Sequence, residues 1–301
     1  MGCQKWVRSS LRHLSAELGS QGHKASPMTV RRLLKKLEYS LKANVKRLTG
    51  PLHQDRDRQF SYIQAQKQAY LDTGLPVISV DTKKKELIGN FKNAGRAWRI
   101  RPEEVNVYDF RQDALAGAVP YGVYDLNHNQ GQVYVGNSAD TPKFAVDAIA
   151  KWWETEGQAA FGQADRILVL ADGGGSNGHR PRLWKHQLQE QLADRLRLEV
   201  TVCHYPTGAS KWNPIEHRLF GPISINWAGK PLRTLDAMLA YISGTSTQTG
   251  LKVKAFLLDG HYEKGLKVSD RQMRDLNLER HDVCLNWNYT IRPRAMAYAP
   301  T

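Results

Sequence analysis

PVISVDT at residues 76–82 and RILVLAD at residues 166–172 decide the fold of this chain. Each is a short run of β-branched and aliphatic residues of strand length with an aspartate at or next to its end, so each reads as a strand carrying an acid to its carboxyl end. Outward from the first, AVPYGVYDL (118–126) and QVYVGNS (132–138) flank the turn-forming NHNQG (127–131) like the arms of a hairpin, so the sheet starts antiparallel.

A helix is expected over 141–156, with Phe144, Ala148, Ile149 and Trp152 on one face, and another over 181–196, with Trp184, Leu188, Leu192 and Leu196 in line. EVTVCHY (199–205) is a further strand. The loop PTGASKWNP (206–214) then opens into IEHRLFGPISINW (215–227), which reads as a helix. Three strands, then helix, strand, helix, strand and helix, is the order of a ribonuclease-H-like α/β fold, a mixed sheet flanked by helices.

The 301 residues carry 43 Lys+Arg against 29 Asp+Glu, a formal charge of +14 that calls for an acidic partner. Residues 1–70 hold 14 of the cations and 4 of the acids, so the phosphate-binding part is expected there. In that segment Val7, Leu11, Leu14 and Leu18 fall at helical spacing, the turn GSQGHKAS (19–26) follows, and Val30, Leu33, Leu34 and Leu37 repeat the spacing. Ser26 as N-cap and Pro27 at the first helical position start the second helix. Arg31, Arg32, Lys35 and Lys36 occupy its other side, suited to DNA phosphates. A solvated amphipathic helix gives the same pattern, and the local charge favours DNA. TGPLHQDRDR (49–58) breaks the chain, giving an expected helix-turn-helix segment at 1–50, a linker with a helix at 51–74 and a catalytic domain at 75–301.

Membrane and secreted classes are disfavoured: no apolar run nears the roughly 20 residues that span a bilayer, and MGCQKWVRSSLRHLS has no apolar signal core. Cys3, Cys203 and Cys284 lack metal-ligand spacing and fit a reducing, cytoplasmic setting. No P-loop, Rossmann fingerprint or Ser-His-Asp order occurs.

Asp81 ends the first strand, Asp172 ends the strand after the first long helix, and Glu216 opens the helix after the last strand. Ligands of α/β sheets gather at the carboxyl strand ends, so the three carboxylates are expected to converge as hard oxygen ligands for two Mg²⁺ ions. Each alone also fits a turn former or a helix cap. DGGGSNG after Asp172 opens the backbone to close approach by a phosphate, a metal or DNA. Lys83, Lys84 and Lys85 fit flanking phosphates, or a charged strand edge. His217 is at most a phosphate or DNA contact, Asn213 reads as a helix cap, and His204 is more often a structural histidine.

VISVDTKKKELIGNFKNAGR (77–96), PYGVYDL, ADGGGSNG, RLWK, SKWNPIEHRLF, TGLKV and WNYTI together resemble the Rhodopirellula-type DDE transposases of bacterial insertion sequences, over about residues 29–292. NPIEH is also similar to the third-acid motif of the wider mariner-like superfamily. The resemblance implies a ribonuclease-H-like core, two Mg²⁺ ions with Mn²⁺ able to substitute, and cleavage and joining of double-stranded DNA at element ends and target. By motif position Asp81, Asp172 and Glu216 would be the triad, with Lys211 beside it on DNA. A homodimer or higher assembly on nucleoid DNA is expected, because two ends must meet. Members of that family are expected to carry further residues ahead of the helix-turn-helix, and a truncated copy is expected to recognise the ends more weakly around a whole core. A truncated or repurposed transposase that binds DNA through residues 7–48 without catalysis is the alternative, and a plain metal-dependent nuclease a third.

Overall fold

The computed structural model describes residues 9–41 and 54–295; Val7 and residues 42–48 of the expected DNA-binding segment lie outside them. The chain divides into two compact units, Met1–Gly50 and Pro51–Thr301.

In the first unit α1 (Leu11–Ser20) and α2 (Pro27–Lys36) are joined by a short turn. Both helices start on a serine cap: Ser10 accepts from the backbone N–H of His13 and Ser26 from that of Thr29, each at 3.1 Å, satisfying donors that a helix start leaves open. Ser15 Oγ donates to the carbonyl of Ala25 at 2.5 Å and pins the turn to α1. Val30 is buried, whereas Leu33 and Leu37 are 46% and 67% exposed, so the apolar stripe of α2 is only partly covered. Arg31, Arg32, Lys35 and Lys36 are all exposed.

The second unit runs α3 (Arg56–Asp72), β1 (Val77–Thr82), β2 (Glu86–Ile88), β3 (Ala116–Asp125), β4 (Gln130–Gly136), α4 (Pro142–Trp152), α5 (Gln158–Phe161), β5 (Arg166–Ala171), α6 (Arg182–Gln187), β6 (Glu199–His204), α7 (Gly221–Asn226), α8 (Leu235–Ser243), β7 (Lys252–Leu257), α9 (Asp270–Arg274), β8 (Leu278–Arg280) and β9 (Asn288–Ile291). Three stretches widen into π-helical turns: Trp153–Gly157 between α4 and α5, Leu188–Asp194 after α6, and Glu216–Phe220 before α7.

The strands form one sheet in the order β7-β4-β3-β1-β5-β6-β9-β8, with β2 paired to β3. β3 is antiparallel to β1 and β4, whereas β5 is parallel to both β1 and β6. That central order and sense is the ribonuclease-H-like arrangement. Alternation along β1 sends Ile78 and Val80 to a core with Phe144, Ile149, Trp184, Leu188 and Leu192 of the α4 and α6 side. On the opposite face Val77 packs with Ile63 and Tyr70 of α3, and β3, β4 and β7 pack with Ile215, Phe220, Ile223, Met238 and Ile242. α3 is bound in by Gln59, buried and bonded reciprocally to Asn288 at 2.7 and 2.8 Å and to the carbonyl of His204 at 2.9 Å.

Candidate active site

β1 and β5 run parallel with Val80 opposite Ala171, so the next residues, Asp81 and Asp172, emerge level at one edge of the sheet. Both line a cleft of about 310 Å³, with Thr82, Lys84, Lys85, Asp140 and Asn177 among its other walls. Burial, then the charges of Asp172, Glu216 and Asp140, push the Asp81 carboxyl up to about 8, against a backbone N–H bond from Thr82 at 2.8 Å. The Asp172 carboxyl is also raised, by burial and by Glu216, while a hydrogen bond from Asn213 opposes the shift. The structure thus brings Asp81 and Asp172 into one cleft and Glu216 within electrostatic range of both; Glu216 itself is outside the cleft lining.

Glu216 reaches that position because its segment is bolted to β1. Asn213, fully buried, donates from Nδ2 to Asp172 Oδ1 at 3.1 Å and shares a hydrogen bond with Ser79 Oγ, which accepts from the backbone N–H of Ile215 at 3.1 Å. Gly122 faces Asp81 across the β1/β3 ladder, and a Cβ there would stand 2.7 Å from Phe220 and 2.8 Å from Ile215. The bare glycine lets the Glu216 segment lie against β3.

A buried chain fixes the backbone of Asp172. Trp184 Nε1 donates to Tyr289 Oη at 2.8 Å, Tyr289 Oη donates to His204 Nε2 at 3.0 Å, and His204 Nδ1 donates to the carbonyl of Asp172 at 3.0 Å. A carbonyl can only accept, so Nδ1 carries the proton. Burial drives the His204 pKa down to about 3 and keeps the ring neutral, as that assignment requires. His204 is therefore structural, and Trp184 and Tyr289 serve the same strand end.

A family model described as the Rhodopirellula transposase DDE domain matches residues 1–293. The chain belongs to that family. A comparison with curated proteins returns no match. Among solved structures it is similar to the Mos1 transposase paired-end complex with left transposon end (12% identity, TM-score 0.45, covering 78% of this chain) and the Mos1 strand transfer complex (12%, 0.46, covering 80% of this chain and 71% of that chain). The chain spans 66% of the length of the first of these.

In this DDE-family chain the acid set offers what hard cations take, carboxylate oxygens alone. Thr82 and Asn213 hold one oxygen each of Asp81 and Asp172; among the described residues neither second oxygen has a hydrogen-bond donor. Asp172, Glu216 and Asp140 stand close enough to Asp81 to raise its pKa, a grouping of acids that a bound cation would relieve. Among the described residues no three His, Cys, Asp or Glu side chains stand close enough to share one ion, so the donors fit in kind and are not closed into a cage.

The three lysines part company. Lys84 and Lys85 are exposed on the cleft wall, Lys85 with its Nζ 4.0 Å from Asp140 Oδ2. Lys83 also lines the cleft but is mostly buried, 3.7 Å from Glu86 and 4.6 Å over the Trp227 ring, and burial lowers its pKa. Lys211 stacks its Nζ 4.0 Å over Trp212, and His217 Nε2 hydrogen-bonds the carbonyl of Lys211; neither lines the cleft. Sequence reading missed Asp140, which reads as an ordinary turn residue ahead of α4, and took Asn213 for a cap, although no side chain caps the Glu216 turn. No helix of the described residues is long and apolar enough to cross a membrane.

Proposed function

We propose that this chain is a DNA transposase that cleaves and joins strands at insertion-sequence ends, with Asp81, Asp172 and Glu216 holding two Mg²⁺ or Mn²⁺ ions. The observation that carries this reading is the cleft at the carboxyl ends of β1 and β5, where Asp81 is pushed up to about 8 by burial and by the other acids, in a chain of the DDE family. When bound, such ions stabilise the attacking and leaving oxygens of an in-line phosphoryl displacement.

The chain's own residues do the rest. Thr82 and Asn213 orient one oxygen of each aspartate and leave the other directed to a ligand. Lys84 and Lys85 hold phosphates flanking the scissile bond as point charges. Residues 1–50 dock on duplex DNA through Arg31, Arg32, Lys35 and Lys36, residues 51–74 lead into the domain at 75–301, and a homodimer or larger assembly brings two ends together.

The test is Mg²⁺- or Mn²⁺-dependent nicking of duplex DNA bearing the gene's flanking ends, wild type against Asp172→Asn at equal occupancy. Nicking by wild type alone is expected. Equal binding with nicking by neither would replace this reading with a DNA-binding remnant.

A further inference from the structure

Both polar atoms of the Asn177 side chain, Nδ2 and Oδ1, are buried without a hydrogen-bond partner among the described residues, and the residue has 0% exposure. An unmet amide destabilises a folded protein, and buried polar groups are otherwise almost always paired. Asn177 is also part of the lining of the cleft that holds Asp81 and Asp172, five residues beyond Asp172 in the DGGGSNG run.

The run that leads to it, through Ser176, is mostly bare backbone. Gly173, Gly174 and Gly175 precede it, and the turn closes through a Gly178 N–H donated to the carbonyl of Gly175 at 3.3 Å. Gly174 lies directly on residue 178, where a Cβ would stand 3.0 Å from the Gly174 backbone. Side chains added at Gly174 or Gly175 would meet nothing within 4 Å, and Gly175 has φ +74°. Gly173 is held, its carbonyl accepting from His179 Nδ1 at 2.8 Å, whereas Gly174 and Gly175 are exposed and line the cleft with Lys84, Lys85 and Asn177, so a shift confined to those two glycines moves no side chain.

We infer that Asn177 is a substrate-binding residue, a neutral donor for a phosphodiester oxygen of the DNA strand in the cleft, reached when the exposed Gly174–Gly175 turn shifts. The inference rests on the proposed DNA-cleaving function. Phosphodiester oxygens only accept, which matches the two open N–H bonds of Nδ2, and the cations on the same wall draw that group in. The loop glycines explain how a backbone segment can give way to a strand without a side chain in its path.

The test uses the full-length protein and Asn177→Leu, close to Asn in size and without the amide. Three quantities are read: the melting temperature, the affinity for a nicked duplex carrying an element end in EDTA across a salt series, and the nicking rate with Mn²⁺. The expected result is a melting temperature equal to or above wild type, an affinity about 3–10-fold weaker, consistent with removal of one hydrogen bond, and an unchanged salt slope because a neutral amide releases no counterion. A melting temperature lower by several degrees would overturn the inference, since the amide would then have a partner inside the fold. Unchanged affinity and nicking with an unchanged melting temperature would overturn it as well. A loss that depends on which base flanks the nick would assign a base edge in place of the phosphodiester. If wild type binds DNA and fails to nick it, the enzymatic reading falls while the affinity comparison still decides Asn177.

Discussion

Asn213 donates from Nδ2 to Oδ1 of Asp172 across 3.1 Å, tying the segment that carries the third acid to the second. The same side chain bonds Ser79 on β1, so one buried amide spans the start of the Glu216 turn and the strands of both aspartates. Asn213→Ala is expected to lower metal-dependent nicking about 10–100-fold, the usual scale for groups that orient metal ligands, with DNA affinity unchanged. Because Asn213 lowers the Asp172 pKa, the same variant should move the acidic limb of the pH–rate profile upward. Loss of DNA binding in step with activity would argue for general misfolding instead.

Gly122→Ala tests the close approach of the Glu216 segment to β3. The new methyl would meet Phe220 and Ile215 at 2.7–2.8 Å, an overpacking that costs about 1–3 kcal/mol. The expected outcome is a melting temperature lowered by several degrees together with nicking reduced beyond what the fraction folded explains. Full activity in the folded fraction would show that the approach does not set Glu216.

The Asp81 pKa makes stability depend on pH in a definite direction. Its carboxyl lies at about 8 in the fold against an ordinary 3.8, so the native state binds the extra proton between those values. Metal-free protein should accordingly lose stability as pH rises from about 4 to about 8. Asp81→Asn should flatten most of that slope and raise the melting temperature at pH 8.5, on the order of 5 °C, with little change at pH 4. A smaller slope of the same sign should persist through Asp172. Calorimetry in EDTA at the two pH values decides it; a wild type that stabilises with rising pH contradicts the coupled-acid picture.

Lysines 83, 84 and 85 should separate by assay. Lys84→Ala and Lys85→Ala are expected to weaken DNA binding and to reduce the slope of log affinity against log salt by about 1 for each phosphate no longer neutralised, with unchanged melting temperature. Lys83→Ala should instead lower stability, because its ammonium sits between Glu86 and the Trp227 ring. Equal salt effects from all three would contradict the burial difference.

The ends of β1 and β5 were legible because β-branched runs closing on an acid place that acid whatever the rest of the chain does. The helices of the α4 and α6 side were legible from the spacing of Phe144, Ile149, Trp184 and Leu188, all of which are buried. Widening of Trp153–Gly157 and Leu188–Asp194 to π turns was not, since apolar periodicity is blind to one extra residue in a turn. Asn213 escaped for another reason: its partner Asp172 lies 41 residues away, and nothing local distinguishes a capping Asn from one that orients an acid. Lys83, Lys84 and Lys85 are identical in sequence and differ only in which side of the chain meets Trp227.

The π turn at Glu216–Phe220 gives the element's genetics an unusual lever. An in-frame loss of one codon inside it would restore ordinary helical pitch and swing Glu216 by about 100° relative to the anchored Leu219 and Phe220. Under the proposed function, the product would keep its core and its basic helices yet misplace the proposed third acid, and in a cell holding intact copies it would occupy element ends unproductively. Such a deletion, co-expressed with the intact gene, should depress mobilisation in proportion to its dose, making a three-nucleotide lesion a self-inherited brake.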